Sequence, residues 1–541
     1  MEEVCRNMLV QQRFEAHVER EPDHAFLVFE GRRLTYRQFD ALANQLAHAL
    51  LSGGVARGDR VVIYAENGVE TAVAIFAALK ASAVFVVVNP TTKVDKLAFL
   101  LGNCRPSAIV TQRARAAEAQ PAIAEGGATL RLAIWTDLAQ DTPVPGVAAP
   151  NGREIPSLRW EDALEGQPAT RPQTRCIDID LATIIYTSGS TGNPKGVVST
   201  HANVCAAAES IMTYLENRPD DIVLSVLPLS FDYGLYQLLM VSMFGGTLVL
   251  ERGFVYPAKV LKLLRDEHAT GFPVVPTIAS ILLQNEHLRG EDFPDLRYMT
   301  NTAAALPVSH IQRLRAKFPR VRLFSMYGLT ECKRVSYLPP EELERRPGSV
   351  GIAIPNTEVY VVDDDGNRVS PGTIGELVVR GAHVMRGYWE APEETTKRYR
   401  PGPLPGETVL YTGDLFRMDE DGFLYFIGRK DDIIKSRGEK VAPKEIEAVL
   451  YQLEGVVEAA AIGVPDEVLG EAIKVYVYLG PHATLTDRQI RAHCARRMED
   501  FMQPKYIEIV REPLPKGNTG KIDKKVLAAT QSVRMGSVCA E

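Results

Sequence analysis

The sequence predicts an α/β fold: a large N-terminal domain over residues 1–428, carrying a β-rich subdomain at about 348–428, and a small α+β C-terminal domain over residues 429–541. Three observations predict it. Short Val/Ile-rich runs alternate with stretches whose apolar residues recur at three and four positions, the pattern of parallel strands covered on both faces by helices. From Gly348 the texture changes to short alternating strands broken by turn pairs such as Asp365-Gly366 and Asp421-Gly422. After Gly428 helical and strand patterns return for about 110 residues, which is enough for a separate domain.

Along the chain, Tyr36 opens a helix with apolar positions spaced by three and four, and 59–64 follows as a strand. Residues 69–79 read as a helix, 83–88 as a strand, 94–102 as a helix and 108–110 as a strand. Residues 141–174 are rich in Pro, Gly and charge and read as a surface connection. The longest uncharged stretch, 233–250, contains Gln237, Ser242, Gly245, Gly246 and Thr247, which suits a buried helix followed by a strand better than a membrane span. Beyond 428 the pattern gives a helix at 443–453, strands at 456–462 and 472–478, a helix at 487–496 and a strand at 506–510.

Composition narrows the function classes. The chain has 541 residues, with 61 Lys plus Arg against 68 Asp plus Glu and a net charge of −7. That balance carries no polyanion-seeking excess, so no nucleic-acid partner is expected. Hydrophobic residues at 45% and charged residues at 24% exclude disordered, collagen-like and coiled-coil classes. The N-terminus, Met1-Glu2-Glu3-Val4-Cys5-Arg6, lacks the basic segment and apolar run of a secretory signal. Seven scattered cysteines without CxxC or zinc-finger spacing fit reduced thiols. The expectation is a cytoplasmic protein with no stable membrane insertion.

The strongest local signal is an apolar strand feeding directly into Thr187-Ser188-Gly189-Ser190-Thr191-Gly192-Asn193-Pro194-Lys195-Gly196. Backbone N–H groups of such a loop can converge on phosphate oxygens, hydroxyls add donors, and Lys195 adds charge. It is not a Walker loop, because the Lys follows a Pro and no helix-starting Ser/Thr comes after it. A Gly-Ser-Thr-Gly run alone also suits a flexible turn; the ordered sequence of strand, loop, Pro-Lys-Gly and then Thr200-His201-Asn203 favours phosphate.

This segment resembles the phosphate-loop signature of the adenylate-forming superfamily, which includes acyl- and aryl-CoA ligases, the adenylation domains of nonribosomal peptide synthetases, and firefly luciferase. Four further blocks match in order. Met326-Tyr327-Gly328-Leu329-Thr330-Glu331 resembles the motif in which an aromatic ring packs on adenine, Thr contacts the α-phosphate and Glu coordinates magnesium. Tyr411-Thr412-Gly413-Asp414 resembles the ribose-binding block, Gly428-Arg429-Lys430-Asp431 the hinge, and Pro515-Lys516-Gly517-Asn518-Thr519-Gly520-Lys521 the loop carrying the catalytic lysine. The resemblance spans residues 14–527.

The resemblance implies a large domain of two α/β subdomains plus the β-rich one, and a mobile C-terminal lid hinged at Asp431. It implies ATP-dependent activation of a carboxylic acid as an acyl- or aryl-adenylate with pyrophosphate release, then transfer to a thiol. The implied nucleotide residues are Thr187, Ser188, Gly189, Ser190, Thr191, Gly192, Lys195, Ala303, Ala304, Tyr327, Gly328, Thr330, Asp414, Arg429 and Lys521, with Glu331 and Thr187 on Mg2+. Lys521, Thr187 and Glu331 are the catalytic candidates. Both reactants are anions, so positive charge must offset their repulsion. A single site running two half-reactions needs Lys521 in the first and out of the way in the second, with Lys435 and Gly438 on the face presented to the thiol.

The acid pocket is less clearly written. Phe231, Asp232, Tyr233, Val275 and Ala304 are the candidate lining. Tyr233-Gly234-Leu235 resembles CoA ligases, whereas Phe231-Asp232 resembles amino-acid-activating domains, whose Asp pairs the substrate ammonium. A buried carboxylate needs a partner, so Asp232 is expected to meet either Lys333 or Arg334 or a substrate amine. Gly438-Glu439-Lys440-Val441 followed by Pro443 favours an acyl or aryl acid. The expected acceptor is coenzyme A; the alternative is the phosphopantetheine of a separate carrier protein, loaded with an amino or aryl acid.

Overall fold

A computed structural model of the chain describes residues 8–187, 194–302, 306–436, 439–466, 469–480, 483–517 and 521–529. The first large sheet runs Lys195–Thr200, Leu181–Thr187, Val84–Val87, Arg60–Tyr64, Ala108–Gln112, Leu132–Thr136, Ser157–Arg159. Its neighbours are parallel except for the first pair, an antiparallel hairpin. The helices Val69–Lys80 and Val94–Cys104 connect these strands and bury their apolar faces, as the spacing predicts.

The second sheet begins with parallel strands in the order Ala25–Phe29, Thr247–Leu250, Ile222–Ser225, Gly271–Val274, Tyr298–Asn301, Arg322–Tyr327. It does not stop where the sequence texture changes. Antiparallel strands Ser336–Leu338 and Ser349–Ala353 carry the ladder on into Leu424–Arg429, Thr408–Met418, Ile374–Gly381 and Thr357–Val362. The β-rich region is therefore hydrogen-bonded to the α/β sheet, a continuity that strand-by-strand periodicity cannot reveal. The uncharged stretch forms the helix Asp232–Phe244, buried from Tyr233 onward, and the strand Thr247–Leu250.

A five-stranded sheet with its own apolar cluster makes the C-terminal unit. Glu439–Val441, Ile434–Ser436, Gly470–Leu479 and Val456–Asp466 lie in that order, and Tyr506–Val510 joins Gly470–Leu479 in parallel. Helices Pro443–Leu450 and Asp487–Ala495 bury Ile446, Leu450, Ile490 and Cys494 in the same cluster. Among the described residues no helix is long and apolar enough to cross a membrane. The described cysteines, 104, 176, 205, 332 and 494, are buried and free.

The segment 141–174 departs from expectation. It holds a small ribbon, Val147–Ala148 with Glu154–Ile155, and the edge strand Ser157–Arg159, which extends the first sheet. A three-residue strand is too short to give an alternation signal.

Three N-terminal helices are tied by charge. Lys80, at the end of Val69–Lys80, pairs with Glu15 of Val10–Arg20 and, at 2.8 Å, with Asp40 of Tyr36–Ser52, its side chain 1% exposed. Removing one member of a buried ion group strands the others. Lys80→Ala is expected to cost about 3–5 kcal/mol, read as a lower midpoint in urea unfolding; an unchanged midpoint would mean the carboxylates find water instead.

Candidate active site

Loops leaving the C-terminal ends of parallel strands converge on one side of a sheet, where α/β proteins bind ligands. Strand Leu181–Thr187 delivers Thr187, Arg322–Tyr327 delivers Tyr327, and Gly271–Val274 leads to Val275. Thr187 and Lys195 are paired across the hairpin that brackets 188–193. Ser188, Gly189, Ser190, Thr191 and Gly192 lie outside the described residues, as do Ala303 and Ala304.

Lys195 is engaged by protein. Its Nζ pairs with Glu394 and sits 5.5 Å from the Tyr388 ring centroid. Tyr388 Oη in turn donates to Glu331 Oε1 at 2.6 Å. The Lys195 and Lys397 ammonium groups hold the Glu394 carboxyl down at about 2. The 386–389 segment docks on strand Lys195–Thr200, with Val198 N donating to Gly387 O at 3.0 Å and Trp389 N to Gly196 O at 2.7 Å. Tyr388 and Glu394 were not among the sequence-derived candidates; the aromatic pair in Arg386-Gly387-Tyr388-Trp389 is the signal that could have found Tyr388.

After Tyr327 the chain folds back tightly. Val335 N donates to Tyr327 O at 2.9 Å and Cys332 N to Leu329 O at 3.1 Å. A Cβ on Gly328 would stand 2.1 Å from Lys333 O, so only glycine lets the two limbs meet. This turn holds Thr330 and Glu331 at the sheet edge, and Lys333 takes the left-handed backbone region, φ +62°. Tyr327 Oη donates to Asp414 Oδ2 at 2.5 Å, and its ring meets Phe416 edge-on at 4.8 Å. Asp414 is buried; that burial raises its carboxyl above the usual range, against the Tyr327 hydrogen bond and the Arg429, Arg398 and Lys521 charges. Arg429 Nε lies 3.8 Å from Asp414 Oδ1.

Lys521 comes from the C-terminal unit, in a loop closed by Gly517 N donating to Lys521 O at 2.8 Å and Asp523 N to Pro515 O at 2.7 Å. The nearby Lys516 and Lys524 pair with Glu458 at 2.5 Å and Glu447 at 2.6 Å. Lys521 has no such ion pair among the described residues. Loss of solvation and then the Arg429 charge lower its pKa, opposed by Asp232, Asp414 and Glu331. The residue as a whole keeps exposed surface. Lys444 also crosses the junction, its Nζ 4.2 Å from the Phe426 ring centroid, and burial brings its pKa down to about 8.

Phe231 precedes the helix Asp232–Phe244, and its N donates to Pro228 O at 3.0 Å. A Cβ on Gly234 would lie 2.3 Å from Pro228 O, so this glycine lets the loop close over the helix start. Tyr233 turns inward: its buried hydroxyl bonds Thr300 O at 2.8 Å, leaving it a brace rather than a polar contact for the acid. Arg334 Nη1 donates to Thr302 Oγ1 at 2.8 Å, and Asp232 has no ion pair with Arg334 or Lys333 among the described residues. Asp431 falls in the single turn Lys430–Asp432, where Lys430 reaches Asp364 at 2.9 Å and Glu376 at 3.3 Å. Lys435 is on strand Ile434–Ser436, and Gly438 lies outside the described residues.

The charges of Arg429, Asp232, Asp414 and Glu331 all act on Lys521, and Arg429 stands beside Asp414. Among the described residues no cluster of three or more His, Cys, Asp or Glu could cage a metal. A lone carboxylate such as Glu331 fits Mg2+, which is commonly held by one or two carboxylates together with substrate phosphates.

A family model described as AMP-binding enzyme matches residues 14–389, and one described as AMP-binding enzyme C-terminal domain matches 445–521. The long-chain-fatty-acid–CoA ligase of Salmonella typhimurium is 33% identical over 532 residues, covering 95% of this chain and 93% of that protein. Gramicidin S synthase 2 of Brevibacillus brevis is 28% identical over 531 residues, which cover 98% of this chain and 11% of that protein. The anthranilate CoA ligase AuaEII in complex with anthranoyl-AMP superposes with a TM-score of 0.87 at 26% identity, covering 98% of each chain.

The tight turn is open to test. Gly328→Ala is expected to push Lys333 aside and destabilise the large domain by about 1–3 kcal/mol, seen in the denaturation midpoint.

Proposed function

The chain belongs to the AMP-binding enzyme family and is an AMP-forming acid–thiol ligase of the acyl-CoA synthetase type, and from that premise we propose which residues carry each step and that coenzyme A is the thiol. The reaction joins a carboxylate oxygen to the α-phosphorus of ATP as the bond to pyrophosphate breaks; the acyl group then passes to sulfur and AMP leaves. The observation that supports the assignment is that Asp232, Asp414 and Glu331, all of the large domain, act electrostatically on Lys521 of the C-terminal unit.

In this reading the 188–193 loop and Lys195 hold the departing phosphates, Lys195 exchanging Glu394 for them. Tyr327 and Gly328 flank adenine, Asp414 accepts the ribose hydroxyls, and Thr330 contacts the α-phosphate. Lys521 bridges acyl and phosphate oxygens. Glu331, oriented by Tyr388 and assisted by Thr187, would hold Mg2+, which supplies charge neutralisation for the triphosphate. Residues 429–541 form the lid, pivoting at Asp431 so that the Lys435 and Gly438 face replaces Lys521 for thioester formation. Phe231 and Val275 supply apolar wall.

A second acceptor is favoured by one observation: Asp232 lies half-buried without an ion pair among the described residues, as an amine-binding carboxylate would. On that reading the enzyme loads an amino or aryl acid onto a separate carrier protein. A panel of acids assayed for pyrophosphate release, then given CoA or a carrier with mass detection of the product, separates the two.

Two variants test the residue roles. Lys521→Ala is expected to slow acid-dependent pyrophosphate release by about 10²- to 10³-fold, the scale of a lost electrostatic donor. Because its pKa is lowered, the active ammonium is lost as pH rises at a value below the ordinary 10.4 or so; the alkaline limb of kcat/KM should sit there and move outward in Lys521→Arg. Asp431→Pro should spare adenylation while crippling thioester formation, and equal loss of both would rule out the hinge role.

A further inference from the structure

Beneath the cleft is a group of polar side chains that none of the roles above employs. Lys333 is 3%, Tyr236 1% and Arg334 5% exposed, yet Lys333 Nζ, Tyr236 Oη and Arg334 Nε have no hydrogen-bond partner among the described residues. Lys333 Nζ lies 5.5 Å from the Tyr236 ring centroid. A buried donor without an acceptor is costly, and an ammonium more so. Lys333 also occupies a left-handed backbone position, φ +62°, that disfavours any side chain.

The group adjoins the candidate acid-pocket segments: Arg334 stands 5.3 Å from the Tyr233 ring centroid and donates to Thr302 Oγ1. The Asp232 and Glu331 charges act on both Lys521 and Lys333. Tyr236 is one helical turn further along the same helix face than Asp232. Exposure falls from Lys521 to the enclosed Lys333 and Tyr236. The group is rich in donors: an ammonium has three, Arg334 Nε and Tyr236 Oη one each, and neither Asp232 nor Glu331 makes an ion pair with Lys333 among the described residues.

We propose that Lys333 Nζ and Tyr236 Oη form a subsite for a hydrogen-bond acceptor on the far end of the acid: a second carboxylate, a carbonyl or a hydroxyl. The inference rests on the adenylating function proposed above and narrows its substrate class to acids with polar tails. A hydrocarbon tail of equal length would cover both donors and satisfy neither.

Matched pairs of acids differing at the far end test it: butanoate and succinate, hexanoate and adipate, benzoate and 4-hydroxybenzoate. Pyrophosphate release gives kcat/KM for each. The wild type is expected to prefer the acceptor-bearing member of at least one pair by about 100-fold. Lys333→Met should collapse that ratio to within about fivefold, and Tyr236→Phe, which removes one oxygen and keeps the ring, should lower it about five- to tenfold. Equal or better activity with the hydrocarbon members, or a ratio unmoved in both variants, overturns the subsite and leaves adenylation standing. Pyrophosphate release with no acid, in these pairs or in a broad panel, sinks the adenylating function itself.

Discussion

The structure is organised around an electrostatic constraint: a carboxylate and a triphosphate, both anions, have to meet in a cleft whose own fixed charges include Asp232, Glu331 and Asp414. Without a cation such a cleft repels its substrates. Lys195 on the rim and Lys521 from the other folding unit answer that need. The same carboxylates that would repel substrate attract Lys521, so the cleft helps to seat the smaller unit. Desolvation works the other way and lowers the lysine's proton affinity.

The motifs proposed for the nucleotide side stood out because their residues are local in sequence. Tyr327 to Glu331 and Tyr411 to Asp414 each occupy one strand end or turn, and the structure joins the two through the Tyr327–Asp414 hydrogen bond. Tyr388 and Glu394 could not be found that way. Their roles depend on a segment docking beside Lys195–Thr200, nearly two hundred residues away in sequence. The partner of Asp232 was equally out of reach. Lys333 and Arg334 were plausible neighbours, but whether they form ion pairs depends on side-chain directions fixed by a left-handed residue and by Thr302.

At the level of fold, periodicity located the helices and most strands, since both faces of the parallel sheets are buried and their strands read as apolar runs. It failed where length or long-range pairing decides. Ser157–Arg159 is too short to alternate, and the union of the β-rich region with the second sheet depends on pairing between Ser349–Ala353 and Leu424–Arg429. The Lys80 cluster is a further example: a lysine at the end of an apolar helix reads as solvent-facing until Glu15 and Asp40 are brought to it.

That sheet continuity bears on how the two units can move. The strand that ends in Tyr327 and the strand that runs out through Arg429 toward Asp431 belong to one ladder of backbone hydrogen bonds. Under the roles proposed above, the pivot would thus follow directly on a strand rooted in the wall beside Tyr327, and a swing of the smaller unit would bend the few residues past Arg429 without breaking that ladder.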